Sequence, residues 1–167
     1  GRAHAQAKQW AEAKVDLDEA IRLDPKRFYP YAARAHAYAN MGDYIRAIGD
    51  CNEAQRRSPT NWFVYAQRAE AHASLGDYDQ AIADYNEATR LKPEDPRLFL
   101  LRAEAFTAIG RYVEALVDCD VFVELKTIDA KTAAKTSLIR AQILVMVGRT
   151  EAYRRACTDI LDRFGQS

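Results

Sequence analysis

Glycine, proline and cysteine are scarce in this sequence of 167 residues, which contains seven, five and three of them. Few glycines and prolines favour helices, because glycine costs backbone entropy in a helix and proline lacks the amide donor. The odd number of cysteines, none at metal-ligand spacing, argues against a disulfide framework and against a zinc site. It favours a reducing compartment such as the cytoplasm, and the location itself stays open.

An excess of one charge is also missing, since 24 basic residues balance 24 acidic ones. Nucleic-acid-binding proteins usually carry a basic excess, so the composition argues against such a partner. No apolar run reaches the roughly 18 residues that would span a bilayer, so we expect no membrane insertion. Neither a phosphate-binding glycine loop nor a nucleophile-elbow motif occurs. We therefore expect no catalytic residue, no metal and no cofactor.

The sequence does contain a repeat of 34 residues. Residues 28–61, 62–95 and 96–129 align without a gap, and MGDYIRAIGDCNEA, LGDYDQAIADYNEA and IGRYVEALVDCDVF fall in register. The partial repeat 1–27 matches the second half of the unit, and 130–167 matches a whole unit loosely after a short insertion. Self-similarity at one period is the signature of a repeat architecture, in which each unit packs on its neighbours.

Each unit is predicted to form two amphipathic helices, because apolar residues recur at spacings of three and four in both of its halves. Gly42, Gly76 and Gly110 fall between the two helices, where glycine tolerates a tight chain reversal. Asp43 and Asp77 follow as N-caps of the second helices. The small residues predicted at the contact between helices are Ala35, Ala47, Ala54, Ala69, Ala81, Ala88, Ala103 and Ala115.

In the repeat, a glycine is followed by an acidic residue and a tyrosine. An alanine comes three residues after the tyrosine, a second alanine seven residues after the first, and a proline five residues after that. This order resembles the tetratricopeptide-repeat family. The resemblance covers nearly the whole chain. It implies an all-α fold, a right-handed solenoid of about four and a half stacked antiparallel helix hairpins in one array over 1–167. It implies a protein or peptide partner without naming one, because packing residues define the family.

The ends of the array depart from the pattern. The tail of a first helix is expected around Arg2 to Ala7, with a second helix starting at Trp10. Half a hairpin at one end indicates a segment of a longer protein and leaves an apolar flank, through which the chain could associate with itself. The stretch 130–167 is expected to form a degenerate closing hairpin.

Three further columns recur with the repeat. The acidic column contains Asp16, Asp50, Asp84 and Asp118, and the basic column contains Arg34, Arg68 and Arg102, with Arg140 displaced by the insertion. A row of carboxylates could bind cations, but pairing of each Arg with an Asp on an adjoining helix is the favoured explanation. The cysteine column contains Cys51, Cys119 and Cys157, which we expect in the core.

The resemblance implies that the first helices line a concave groove. Its exposed columns are predicted to contain Tyr29, His36, Asn40, Phe63, Glu70, Arg97, Leu100 and Glu104. The aromatic rings of Tyr29 and Phe63 would form a shelf for an apolar side chain of a partner. The carboxylates of Glu70 and Glu104 would meet basic residues.

One use known in the family can be compared with these residues. Members that hold the acidic C-terminal tails of heat-shock chaperones resemble one another in a clamp of Lys, Asn and Arg. Here Ala33 stands at the asparagine position, and Phe63 and Gln67 stand at the lysine and arginine positions, which disfavours that use.

The favoured function is a non-catalytic scaffold that binds a partner segment in its groove, either a helix or an extended segment. Two alternatives stay open. The first is a regulatory or substrate-presenting domain of a larger enzyme, and the second is a self-assembly module.

Overall fold

The computed structural model describes residues 2–125, 137–138 and 140–145. Its helices are α1 (Arg2–Leu23), α2 (Tyr29–Asn40), α3 (Tyr44–Arg57), α4 (Trp62–Ser74), α5 (Tyr78–Leu91), α6 (Pro96–Ala108) and α7 (Tyr112–Glu124). Residues 137–138 and 140–145 are also helical, and no strand occurs in this part of the chain. The predicted all-α class is confirmed, whereas most of the predicted closing hairpin over 130–167 lies outside the described residues.

Three pairs of consecutive helices, α2–α3, α4–α5 and α6–α7, pack against each other as hairpins. A glycine with positive φ stands in each turn: Gly42 at 79°, Gly76 at 81° and Gly110 at 78°. In the first turn the Asp43 N–H donates to the Tyr38 carbonyl at 2.9 Å, which closes the end of α2. The Asp43 side chain accepts from the Arg46 N–H, so its predicted role as N-cap of α3 is confirmed.

Two glycine-to-alanine substitutions are expected to change the free energy of unfolding in opposite directions. Gly76→Ala should lower it by about 1–2 kcal/mol, because a Cβ is strained at this left-handed backbone. Gly49→Ala should raise it by about 1 kcal/mol, because Gly49 lies inside α3 and no neighbouring element comes within 4 Å of the position that a Cβ would take. Urea unfolding of the two variants measures both changes, and equal signs would contradict the assignment.

Alanines are buried on both helices of each of the three hairpins. Each of the eight alanines predicted at this contact is at most 1% exposed. A core cluster that includes Ala35, Cys51, Ala54 and Val64 joins α2, α3 and α4. Side chains this small allow close approach of the helix axes, so the hairpin α2–α3 packs on α4 with little bulk between them.

The predicted pairing of the basic and acidic columns is confirmed in the three complete hairpins. Arg34 binds Asp50, Arg68 binds Asp84 and Arg102 binds Asp118, each through two hydrogen bonds of 2.6–2.8 Å. The two ends of the columns differ from the expectation. Asp16 is exposed, and Arg140 pairs with Asp120 at 2.9 Å. Asp118 is already bound by Arg102 of its own hairpin, and Arg140 instead contacts the preceding helix α7 through Asp120.

A second polar column, which the sequence reasoning missed, links the hairpins α2–α3 and α4–α5 to the helix before each of them. The free Nη1 of Arg34 donates to Asp18 Oδ1 at 2.6 Å, and Nη1 of Arg68 donates to Asn52 Oδ1 at 2.6 Å. Asp18 and Asn52 lie 34 residues apart, so the repeat itself contained the signal. Each of these guanidinium groups therefore bonds to two helices besides its own.

The first helix corrects one prediction. A second helix was expected to begin at Trp10, but α1 is continuous from Arg2 to Leu23. Lys8 occupies the column of Gly42, Gly76 and Gly110, and no residue nearby favours positive φ. Lys, Gln and Ala are good helix formers, so the helix continues through the position where the other units turn.

The chain divides into two compact units, Gly1–Leu91 and Lys92–Ser167. The first unit contains α1 to α5, with α1 packed on α2 and α3 packed on α4. The second contains α6 and α7. A single array over 1–167 with repeat boundaries at 28, 62 and 96 stays a prediction. No helix among the described residues combines the length and the hydropathy needed to cross a membrane.

Candidate functional site

Two exposed aromatic side chains lie at the start of neighbouring first helices, as predicted for the groove. Tyr29 begins α2 and is 68% exposed, and Phe63 is the second residue of α4 and is 46% exposed. The Asn61 side chain caps α4 by accepting from the Phe63 N–H at 3.1 Å. This cap fixes the first turn of α4 and so holds the Phe63 ring at the protein surface.

An apolar cavity of about 450 Å³ opens beside these aromatics, between α1, α2 and α4. Its walls include the side chains of Trp10, Ala13, Leu17, Phe28, Tyr29 and Phe63. Trp10 packs edge-to-face on His36, with 5.1 Å between the ring centroids. Cavities of this size and lining hold small ligands or side chains of a partner. We call it the apolar cavity below.

The straight course of α1 explains why this cavity exists. Ala13 and Leu17 stand in the columns of Ala47 and Cys51, which are 1% and 0% exposed under the first helix of their own hairpin. Because α1 does not turn back, no such helix from the described part of the chain covers Ala13 and Leu17, and both are only half-buried. The apolar surface that a hairpin would bury therefore forms the floor of the cavity.

A smaller, polar cavity of about 230 Å³ adjoins the first and lies between α2, α3 and α4. Its polar lining consists of His36, Asn40, Tyr44, Gln67, Glu70 and Ser74, and His36 and Gln67 line both cavities. Glu70 is the one charged side chain among the residues that line the two cavities, which include no Lys or Arg. The lining therefore favours neutral or basic groups over acidic ones.

The side-chain amide of Gln67 lies at the junction of the two cavities. Both its Nε2 and its Oε1 are buried, and neither has a hydrogen-bond partner. Burying an amide without hydrogen-bond partners destabilises the folded protein by roughly 1–3 kcal/mol for each unsatisfied group. Sequence reasoning considered Gln67 only as a mismatch in the chaperone clamp. Its column otherwise contains Ala33 and Leu101, so no repeated polar residue marks it.

Three predicted groove residues lie in the second unit. Arg97 is exposed and pairs with Asp95 at 3.0 Å, which with its hydrogen bonds lowers the pKa of that carboxyl. Glu104 is half-buried. Leu100 was predicted in an exposed column, but it is only 6% exposed. The prediction is wrong because this column faces the helix packing: Ala32, at the same position of α2, belongs to the core cluster.

Histidines and cysteines contribute no reactive site among the described residues. Cys51 and Cys119 are free thiols with 0% exposure, and burial raises the pKa of each to about 12. Such thiols stay protonated at neutral pH and are poor nucleophiles. Cys157 lies outside the described residues. Within those residues, no group of three His, Cys, Asp or Glu side chains could hold a metal ion.

Comparison with protein-family models gives two matches. Residues 29–61 match a model described as tetratricopeptide repeat, and residues 69–110 match one described as TPR repeat. The first stretch covers the hairpin α2–α3, and the second runs from within α4 to the turn after α6. No curated protein sequence matches the chain.

Solved structures with the same fold are numerous. A crystal structure of MamA superposes with a TM-score of 0.85 at 12% identity, covering 92% of this chain and 88% of MamA. YrrB, described as a TPR protein with an unusual peptide-binding site, superposes with a TM-score of 0.80 at 15% identity, covering 97% and 81%. The TPR2B domain of yeast Sti1, in complex with pHsp70, gives 0.67 at 23% identity, covering 71% and 97%. At these identities the similarity establishes the fold.

Proposed function

This chain is a tetratricopeptide-repeat protein, and we propose that it is a non-catalytic scaffold that holds a segment of another protein. The segment would lie in the groove formed by the apolar and polar cavities between α1, α2, α3 and α4. In this arrangement Tyr29 and Phe63 contact an apolar side chain, and His36, Asn40, Gln67 and Glu70 contact polar groups. YrrB and the Sti1 domain, which share the fold, are described with a peptide-binding site and a bound partner.

The unpartnered amide of Gln67 is the observation that supports this proposal most directly. A primary amide offers donors on Nε2 and an acceptor on Oε1, which together match a peptide group or another amide. Both atoms are buried at the junction of the cavities, so a rotation of the Gln67 side chain toward the groove would let a partner there supply the missing hydrogen bonds. Binding would then recover free energy that the unbound fold forgoes.

The charge of the groove differs from the charge that a receptor for acidic tails needs. Glu70 is the charged residue in the lining, and the chaperone clamp would need Lys and Arg at the positions of Phe63 and Gln67. An acidic segment would meet a like charge and no counterion. We therefore expect a neutral or basic segment with at least one large apolar side chain.

Replacing both groove aromatics is expected to abolish capture of a partner segment. A phage-displayed library of random peptides is panned on the protein, and the affinities of enriched peptides are measured by titration calorimetry. Tyr29→Ala with Phe63→Ala should weaken them by about 30-fold or more, because two central aromatic anchors are removed. The matched control is Val15→Ala with Ile45→Ala, which removes two exposed apolar side chains outside both cavities.

Gln67→Leu extends the same experiment to the amide. It should weaken the enriched peptides by about tenfold while leaving the melting temperature unchanged or raised, because an unsatisfied buried amide is removed. Two results would contradict the proposal. In one, panning enriches no peptide family; in the other, the affinities are the same in the aromatic double variant and in its control.

A further inference from the structure

The face of α1 that borders the apolar cavity is the counterpart of a face that is covered in every complete hairpin. In α3, α5 and α7 the first helix of the hairpin lies over it. The covered positions there are Ala47, Ala81 and Ala115, together with Cys51, Tyr85 and Cys119, and all are 0–2% exposed. On α1 the same columns hold Ala13 and Leu17, which are half-buried and form part of the cavity wall.

The charges on this face are also incomplete. In the complete hairpins the aspartates that correspond to Asp16 are each bound at two points by an arginine of the first helix. Asp16 itself is exposed, and within the described part of the chain no cation pairs with it. Asp18, two residues further along α1, is already bound by Lys14 and Arg34. One carboxylate on α1 thus lacks the arginine that its counterparts have.

The three helices that cover this face share one sequence pattern. The pattern begins with an aromatic residue. Arginine and alanine stand three and four residues after it, and a second ring-bearing side chain stands seven residues after it. In α2 these positions are Tyr31, Arg34, Ala35 and Tyr38. The arginine binds the aspartate of the second helix, and the alanine, 1% exposed, lies at the crossing point. A bulkier residue there would not fit at the same helix separation.

From these features we infer that the apolar cavity is the seat of an amphipathic helix, supplied by a partner protein, that carries this aromatic–arginine–alanine pattern. The helix packs on Ala13 and Leu17, its alanine lies against α1, and its arginine binds Asp16. Docking this helix completes the hairpin of α1. The inference rests on the proposed function, since it names the chemistry of the segment that occupies the apolar end of the groove.

A peptide that copies residues 28–42, held helical by a lactam bridge on its exposed side, tests the inference. The bridge lowers the ordering cost that a free peptide of this length would carry. Fluorescence anisotropy of the labelled peptide with the intact chain should show saturable binding below about 1 mM. Ala35→Leu in the peptide should weaken binding about tenfold, because the crossing point has no room for the larger side chain.

A charge exchange identifies the position of the peptide. Asp16→Arg in the protein should weaken binding about tenfold, and Arg34→Asp in the peptide should restore most of the loss, because the pair is re-formed with its charges reversed. Asp79→Arg, which changes an exposed carboxylate at the start of α5, is the matched control and should leave binding unchanged.

Two outcomes overturn the inference. No binding at about 1 mM peptide would show that the cavity does not accept such a helix. Binding that is insensitive to Asp16→Arg, or not restored by the peptide change, would place the peptide elsewhere, for example in exchange with α2. Either outcome leaves the proposed function standing if panning still enriches peptides that depend on Tyr29 and Phe63. Failure of the panning itself would instead overturn the proposed function.

Discussion

Arg68→Ala is expected to lower the free energy of unfolding by about 3–5 kcal/mol, the largest effect of any single change described here. The Arg68 guanidinium donates to both Asp84 oxygens, at 2.8 and 2.6 Å, and the two side chains are only 15% and 10% exposed. Its Nη1 also donates to Asn52 at 2.6 Å. Truncation leaves the Asp84 carboxylate buried without its counterion and breaks the bond to the preceding hairpin.

Urea unfolding followed by circular dichroism measures this change. Arg90→Ala is the matched control, because Arg90 is paired with Glu87 on the same helix but both side chains are largely exposed, so its effect should be much smaller. Arg68→Met combined with Asp84→Leu should recover most of the loss, since an apolar pair replaces the buried ions. A loss below about 1 kcal/mol for Arg68→Ala would show that the column contributes little to stability.

Ala88→Leu is expected to destabilise the first unit by about 3 kcal/mol. Ala88 is 0% exposed on α5, and Ala69 on the facing helix α4 is also 0% exposed. The additional heavy atoms of leucine at this contact force α4 and α5 apart or push side chains out of their rotamers, because the interior is close-packed.

The control for this substitution lies on the same helix. Ala83 is exposed on α5, so Ala83→Leu adds the same atoms without entering a contact and should leave the unfolding free energy within about 0.5 kcal/mol of the parent. Thermal and urea unfolding of both variants provide the comparison. If Ala88→Leu is as stable as Ala83→Leu, the alanine contact is not close-packed and the packing account fails.

Much of the fold could be predicted because each repeat needs the same residue types at the same positions, so the sequence shows each requirement several times. Gly42, Gly76 and Gly110 recur where a left-handed turn is needed, and the structure shows positive φ at all three. Arg34 with Asp50, and its two successors, recur because the same buried charges must be paired in every hairpin. Each column of the alignment therefore tests a prediction more than once.

The failures occur where the repeat is interrupted or where a column has no repeated chemistry. Lys8 in the glycine column removes the turn, and the pattern alone did not show that α1 would continue through it. Gln67 has no polar counterpart in its column. Leu100 was predicted as exposed because a helix has several apolar columns, and periodicity alone does not say which of them faces a neighbouring helix.

The amino-acid sequence by itself determined the helical hairpins, their alanine contacts and the pairing of arginine with aspartate, because these depend on local periodicity and on spacing along the chain. The tertiary structure decided where cavities lie between the helices. The apolar cavity exists because α1 runs straight and leaves Ala13 and Leu17 uncovered. The amide of Gln67 is buried without a hydrogen-bond partner beside a cavity that three helices line. Both are properties of empty space between helices, and that space depends on how neighbouring helices pack rather than on any one stretch of sequence.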